Sequence, residues 1–266
     1  MKLAFSTLGC PEWSFSDILS SACDLGYDGV EIRGVGKELY APNITEFLPE
    51  NLTKTKASLE RLKLEIPCLT SACELQKPGE EVYFECKAYI DCAASLSIPY
   101  VRILGDTDPA PSALVDAKRV KKTAALLAAY AEKHNVTLLL ESNGYFADTA
   151  RLADVIESVG SGALAALWDI NHPFRFFGET PKTTVDNIGK YIRHVHIKDS
   201  IEQDAAVKYK MMGQGTLPVS ESVDRLHALG YDGYFSLEWV RRWQPTLEEP
   251  GIAFALFVEY MRTLLV

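Results

Sequence analysis

Eight short apolar segments recur along the chain with longer stretches of helical periodicity between them, and this alternation restricts the fold more than any other feature. Short apolar runs that alternate with amphipathic helices are typical of βα units on a parallel sheet, whose strands are buried on both faces. The predicted strands are Lys2–Leu8, Gly29–Arg33, Ile66–Ser71, Tyr100–Leu104, Val136–Glu141, Ala163–Asp169, Ile192–Lys198 and Tyr234–Trp239. The predicted helices are Ser16–Leu25, Leu52–Leu62, Val82–Leu96, Ser112–His134, Thr149–Val159 and Ser220–Leu229.

Two folds accommodate eight βα units: a closed barrel and an open, doubly wound sheet. The closed barrel is favoured because the strand count is eight and no Gly-x-Gly-x-x-Gly motif follows the first strand. The 266 residues contain no composition shift, low-complexity tract or linker. The sequence therefore predicts the α/β class and one (β/α)8 TIM barrel domain over residues 1–266.

Several residues mark the predicted helix ends. Ser14 and Ser16 before the first helix, and Ser112 before the fourth, are of the type that caps a helix N-terminus. Gly26 and Gly230 are expected to adopt the left-handed conformation that ends the preceding helix.

Composition restricts the partners and the compartment. A net charge of −9 argues against nucleic acid, because phosphate binding needs a positive surface. No stretch approaches the ~20 apolar residues of a membrane span, and the N-terminus is too polar for a signal peptide. The six cysteines lie between residues 10 and 92 without a Cys-x-x-Cys pair, as expected of reduced thiols in a cytoplasmic protein.

Functional side chains of an α/β barrel lie at the C-terminal ends of the strands. Strands five, six, seven and eight deliver Glu141, Asp169, His196 and Glu238 to that position. Three carboxylates in one cavity repel one another strongly unless a cation binds between them. One imidazole and three carboxylates suit one divalent ion, Mn²⁺ or Mg²⁺ and also Co²⁺ or Zn²⁺.

The order of these segments resembles the sugar phosphate isomerase/epimerase family of the xylose-isomerase-like TIM barrel superfamily. The matching segments run across nearly the whole chain: Gly29-Val-Glu-Ile-Arg33, Leu140-Glu141-Ser-Asn, Asp169-Ile-Asn-His172, His194-Val-His196-Ile-Lys-Asp199, Met212-Gly-Gln-Gly215 and Ser236-Leu-Glu238-Trp239. The resemblance implies that Glu141, Asp169, His196 and Glu238 ligate the metal and that His172 lies beside the substrate oxygens. His194, two residues before His196, is expected to be a hydrogen-bonded core residue.

The chemistry that fits such a site is proton transfer on a small sugar or sugar phosphate. Glu141 and Glu238 would act as acid and base around an enediolate, with the metal as a Lewis acid. His172 would hold a developing oxyanion. Arg33, Arg102 and Lys198 could bind a phosphate or carboxylate, or instead pair with loop acids such as Asp106 and Asp199. Trp13 could cover an apolar face of the sugar.

Three alternatives remain open. A dehydratase of inosose or dehydroshikimate type would begin with the same proton abstraction. An endonuclease IV-like DNA repair enzyme would need further histidines on strands three and four, which this sequence lacks. A barrel that binds a ligand without turnover is the third.

Two further observations bear on these alternatives. Ketose 3-epimerases of this group carry a second Glu shortly after the strand-five Glu, and Glu141-Ser-Asn-Gly-Tyr-Phe-Ala147 has none, which argues against a strict 3-epimerase. The apolar C-terminal helix from Gly251 to Arg262 either packs deeply on the barrel or forms a homodimer contact.

Overall fold

The computed structural model describes residues 1–264, which form two compact units. The first unit comprises Met1–Pro67 together with the chain from His196 onwards, and the second comprises Cys68–Val195. The predicted domain of residues 1–266 also includes Leu265 and Val266, which lie outside the described residues. The boundaries of that domain therefore remain a prediction.

The described chain alternates strands and helices in the order that the apolar segments predict. The strands are β1 (Lys2–Ser6), β2 (Gly29–Glu31), β3 (Cys68–Glu74), β4 (Tyr100–Leu104), β5 (Thr137–Glu141), β6 (Leu164–Asp169), β7 (Ile192–Ile197), β8 (Asp199–Gln203), β9 (Ala206–Lys210) and β10 (Tyr234–Leu237). The helices are α1 (Phe15–Leu25), α2 (Leu52–Leu62), α3 (Glu81–Leu96), α4 (Ala117–Glu132), α5 (Thr149–Val159), α6 (Asn171–Phe177), α7 (Pro181–Ile188), α8 (Val219–Ala228) and α9 (Pro250–Thr263). All eight predicted strands are present, as β1 to β7 and β10.

In the first unit, β1 pairs in parallel with β2 on one side and with β10 on the other. The register places Ser6 opposite Glu31 and Phe5 opposite Leu237. Since parallel strands in register end at the same level, the carboxyl ends of β2 and β10 flank the end of β1. This arrangement brings the residues that follow those strands to one edge.

An aromatic cluster joins α9 to this sheet. The ring of Phe254 stacks on Phe5 at a centroid distance of 4.2 Å, and the Tyr27 ring meets Phe5 edge-on at 4.9 Å. The Tyr27 hydroxyl donates to the Phe254 carbonyl over 2.8 Å, and burial raises the pKa of Tyr27. Of the two expectations for the C-terminal helix, deep packing is therefore what the first unit shows.

In the second unit, β3, β4, β5 and β6 are neighbours in that order, and every pair is parallel. Arg102 lies opposite Leu139, and Glu141 lies opposite Leu167. A buried apolar cluster forms between these strands from Cys68, Leu139, Ala165 and Leu167, with Tyr100 against it. This cluster forms part of the apolar core of the second unit.

The helix ends agree with the sequence only in part. Ser14 caps α1 in a capping box with Asp17, and Gly26 ends that helix with φ 77°. Gly230 is left-handed as expected, with φ 73°, one residue past the cap of α8. The prediction for Ser112 is wrong, because α4 begins at Ala117 under an Asp116 cap, and Ser112 instead bonds to Asp106.

Four of these strands and helices, β8, β9, α6 and α7, were not predicted. β8 and β9 form an antiparallel hairpin closed by Asp204 and Ala205, which both have positive φ values of 55° and 58°. Asp-Ala lacks the glycine that makes such two-residue turns recognisable in a sequence. Helices α6 and α7 are 7 and 8 residues long, too short for a clear helical period.

Across residues 1–264, no helix has both the length and the apolar character needed to cross a bilayer. The six cysteines are all free thiols in the structure.

Replacing Phe254 by alanine is expected to lower the free energy of unfolding by about 3–5 kcal/mol, because the side chain is fully buried and its loss leaves a cavity. Ile252 lies on the same helix and is 61% exposed, so Ile252→Ala should change stability by about 0.5 kcal/mol or less. Urea denaturation followed by circular dichroism measures both variants. Equal losses in the two would contradict the packing described for α9.

Candidate active site and metal-binding residues

Four buried polar side chains of the first unit lie at the ends of β2, β7 and β10, and we call them the first half-site: Glu31, His196, Lys198 and Glu238. The register of β1 with its two neighbours explains the positions of Glu31 and Glu238. Glu31 pairs with Ser6 of β1, and Glu238 follows Leu237, which pairs with Phe5. The Glu238 N–H donates to the Ile197 carbonyl over 3.0 Å, which aligns β10 with the end of β7. His196 and Lys198 share one face because side chains alternate along a strand.

His196 joins the two acids of the first half-site. Its Nε2 lies 2.8 Å from Glu31 Oε1, and its Nδ1 lies 3.5 Å from Glu238 Oε1. The ammonium of Lys198 forms an ion pair with the other oxygen of Glu238. Lys198 and Glu31 are both almost fully buried, so their charges are compensated within the protein rather than by solvent.

The second unit places four other buried side chains together, the second half-site: Arg102, Glu141, Asp169 and His172. Arg102 Nε lies 2.8 Å from Glu141 Oε2, and its Nη1 donates to the Ser71 carbonyl over 2.7 Å. The guanidinium is thereby fixed at two points, and it holds Glu141 at the end of β5. A cation at this distance favours the ionised carboxylate.

His172 lies in the first turn of α6, next to both acids of the second half-site. Its Nδ1 is 3.2 Å from the Ser142 carbonyl and 3.9 Å from Glu141 Oε1, and its Nε2 is 3.8 Å from Asp169 Oδ2. A carbonyl oxygen can only accept, so the proton of a neutral ring lies on Nδ1. Nε2 is then an acceptor, which suits a substrate hydroxyl better than the oxyanion expected from the sequence.

Asp106 organises the loops next to Glu141. The sequence offered it as a possible ion-pair partner of an arginine, but its carboxylate instead accepts backbone N–H groups. Its Oδ2 accepts the backbone N–H groups of Ser112 and Tyr145 over 2.9 and 2.8 Å, and its Oδ1 accepts that of Thr107 over 2.7 Å. Burial raises the pKa of Asp106, but the hydrogen bonds from Ser112, Tyr145 and Thr107 outweigh burial and hold the pKa below its ordinary value.

Asp199 has the same role in the first unit. Its carboxylate accepts backbone N–H groups from Ser200, Gly213, Gly215 and Leu217, which fixes the loop that precedes α8. A Cβ atom on Gly215 would lie 1.9 Å from Asp199 Oδ1, so only glycine fits there. Asp199 and the Gly-Gln-Gly segment are therefore explained by loop structure.

The remaining predicted substrate-binding residues, Arg33 and Trp13, lie in the first unit and contact protein groups. Arg33 Nη1 donates to the Leu39 carbonyl over 3.1 Å, and its guanidinium lies 5.9 Å from the Trp243 ring. The Trp13 ring packs edge-on against Phe254 at 5.7 Å.

Glu31 was not among the predicted site residues, although it is fully buried and contacts His196. A signal was present, since Glu31 ends its apolar strand just as Glu141 and Glu238 end theirs. His194 is fully buried, in agreement with the expectation of a core residue, but its role stays a prediction.

The family model described as xylose isomerase-like TIM barrel matches residues 19–256. The chain belongs to this family. Since the matched residues span both units, the predicted (β/α)8 barrel and the predicted family are confirmed.

The barrel is similar in sequence to an epimerase and similar in structure to a probable dehydratase. The barrel is 25% identical to the fructoselysine 3-epimerase of Shigella flexneri, and the alignment covers 100% of this chain and 98% of that protein. The solved structure of the probable 3-DHS dehydratase AsbF of Bacillus anthracis has a TM-score of 0.82 at 18% identity, covering 98% of this chain and 99% of that one. The IolI protein with a bound zinc atom has a TM-score of 0.80 at 17% identity, covering 100% and 98%. The two structures show the shared fold.

Asp106→Asn should destabilise the barrel by roughly 2 kcal/mol at pH 7, because either orientation of the amide turns an NH₂ group towards backbone donors. The folded pKa of Asp106 is lowered, so its stabilisation is complete above the unfolded pKa and is lost as the pH falls through the folded value. The gap between wild type and variant should therefore close in acid. Urea denaturation at pH 7 and below pH 4 measures it. Asp108→Asn, which changes an exposed acid nearby, is the control. A difference in unfolding free energy between wild type and Asp106→Asn that did not change with pH would contradict this prediction.

Proposed function

We propose that this barrel is a divalent-metal-dependent sugar isomerase or epimerase in which Glu141 and Glu238 move a proton at the carbon next to a carbonyl. One observation carries the proposal: each of these buried carboxylates contacts a buried cationic side chain, Arg102 for Glu141 and Lys198 for Glu238. A cation keeps a buried carboxylate ionised and therefore able to accept a proton. The epimerase relative supports the same class of reaction.

The proposed metal ligands are Glu141, Asp169, His196 and Glu238, all of them buried. In this fold the carboxyl ends of the strands line one mouth, where ligands bind. Counted formally, the two half-sites carry four carboxylates against two cationic side chains, and one divalent ion would offset that difference. Oxygen-rich ligand sets with one imidazole suit Mn²⁺, Mg²⁺, Co²⁺ or Zn²⁺.

The chemistry divides among the protein's own groups. When bound, the metal would supply Lewis-acid stabilisation of charge on the carbonyl oxygen and the adjacent hydroxyl oxygen. One glutamate removes the proton from the carbon that bears this hydroxyl to give an enediolate, and the other glutamate returns a proton to the same carbon or to the former carbonyl carbon. His172 Nε2 accepts a hydrogen bond from a substrate hydroxyl, which orients the sugar.

The cationic residues favour an unphosphorylated substrate. Arg102 and Lys198 are both engaged with catalytic carboxylates, and Arg33 donates to a backbone carbonyl. A phosphate would have to displace these partners, and removing one partner of a buried charge pair costs about 3–5 kcal/mol. A neutral ketose or a ketose carrying an amine is therefore the proposed substrate class.

The proposal is tested by incubating the Mn²⁺-loaded barrel in D₂O with fructoselysine, D-allulose, D-fructose and fructose 6-phosphate. Mass spectrometry then follows deuterium entry at carbon. An unphosphorylated ketose should take up deuterium, and Glu141→Gln and Glu238→Gln should each lower the rate by about 100-fold or more. Glu60→Gln, an exposed glutamate on α2, is the matched control. Full activity in either catalytic-site variant would refute the assignment.

Dehydration is the second candidate. It is favoured because residues 142–147, which directly follow Glu141, contain no second Glu, and it begins with the same proton removal. It is separated from epimerisation in the same experiment. An epimerase product keeps the substrate's atoms and gains deuterium, whereas a dehydratase product has lost one water. A product lacking water from any of these sugars, or from dehydroshikimate, would assign the barrel to the dehydratases.

Metal binding should be visible without substrate. At a Mn²⁺ concentration about 100-fold above Kd, the stabilisation of about 2.7 kcal/mol corresponds to a rise in Tm of about 5–10 °C for a chain of this size. Asp169→Asn should abolish this rise, because it replaces a ligand in the proposed set. Asp108→Asn should keep it. Differential scanning fluorimetry of chelator-treated protein measures the change, and an unchanged Tm in the wild type would remove the metal from the proposal.

A further inference from the structure

We infer that Glu31 is a positioning residue for the metal site: its carboxylate accepts the Nε2–H of His196 and so fixes Nδ1 as the nitrogen that binds the ion. The inference rests on the proposed function and adds Glu31 to the four residues that are proposed to hold the ion. Glu31 itself is not proposed as a ligand.

The hydrogen bond decides the tautomer of His196. Glu31 Oε1 lies 2.8 Å from Nε2, a distance typical of a charge-assisted bond. A carboxylate can only accept, so the ring proton lies on Nε2 and the lone pair of a neutral ring lies on Nδ1. Metal ligation requires that unprotonated nitrogen.

The other side of the ring faces an acceptor. His196 Nδ1 lies 3.5 Å from Glu238 Oε1. A lone pair and a carboxylate oxygen repel each other unless a cation binds both, and the separation exceeds the usual 2.7–3.2 Å of a hydrogen bond. Two ligand atoms that each lie about 2.1 Å from one ion are themselves about 3.0–3.4 Å apart. At 3.5 Å, the pair formed by Nδ1 and Glu238 lies just beyond this range, so a small shift would let both atoms bind one ion.

Burial explains why Glu31 is expected to have a large effect on metal affinity. Glu31 and His196 are both 0% exposed, so water cannot replace either partner of the bond. Glu31 is the last residue of β2, and its backbone is held by pairing with Ser6. The carboxylate therefore holds a defined position, and an orienting acid of this kind also makes the imidazole more basic. Loss of such a partner usually weakens metal affinity 10–100-fold.

The test uses metal-free protein and two measurements that need no substrate. Isothermal titration with Mn²⁺ gives affinity and stoichiometry, and ¹⁵N NMR of the imidazoles gives the tautomer of His196 before metal is added. Wild type should show Nε2–H. Glu31→Gln should bind Mn²⁺ about 10–100-fold more weakly, with unchanged stoichiometry, and should show a mixture of tautomers, because an amide can either accept from Nε2 or donate to it.

Two further variants keep the test decisive. Glu65→Gln removes a partly exposed acid that pairs with Lys2 and does not contact His196, so its affinity should equal that of wild type. Glu31→Asp keeps the charge and covers the case in which Glu31→Gln does not fold; the shorter acid should reduce affinity by a smaller factor and retain the Nε2–H tautomer.

The outcomes separate the two proposals. Equal affinity and an unchanged tautomer in Glu31→Gln would overturn the positioning role while leaving the metal site intact. Complete loss of binding with the tautomer preserved would also overturn it, because Glu31 would then be a ligand. A wild-type protein that binds no Mn²⁺, Mg²⁺, Co²⁺ or Zn²⁺ would overturn the proposed function and this inference together.

Discussion

A carboxylate buried at the end of a strand needs a hydrogen-bond donor or a cation, and the candidate site of this barrel depends on which of these each acid receives. Burying an unpaired carboxylate is costly enough that the group would bind a proton and become neutral. Glu141 receives Arg102, Glu238 receives Lys198, and Glu31 receives the ring N–H of His196. These contacts keep three acids available in the protein interior, where solvent cannot screen them.

Much of this site could be predicted from the sequence because strand ends are visible in it. The apolar runs stop at Glu141, at Asp169 and just before Glu238, and a polar residue at that point is exceptional enough to be noticed. The strand count then predicted a barrel, and the barrel predicted where its functional residues lie. His172 was also recognised, because it follows Asp169 at short range. All of these features can be read from residues that lie close to one another in the sequence.

The contacts that sequence reasoning missed depend on register or on loop conformation. Glu31 and His196 are 165 residues apart, and only the pairing of β1 with β2 fixes the level of Glu31. Ser112 looks like a helix cap, yet Asp106 captures it and α4 begins five residues later. The hairpin of β8 and β9 turns through Asp204 and Ala205, where the backbone conformation is set by strand pairing and not by glycine.

The kind of partner separates the acids that we propose as proton carriers from the acids that hold loops in place. Asp106 and Asp199 are also buried acids next to strand ends, but they bind backbone N–H groups of fixed loops. The backbone N–H groups around such an acid depend on its carboxylate as their acceptor, so protonating the acid would leave some of them without a hydrogen bond. Glu141 and Glu238 face side-chain cations, which remain charged and can adjust when a substrate proton arrives. The same sequence pattern, an acid after an apolar strand, therefore occurs in two different surroundings, and the donor that meets the acid distinguishes them.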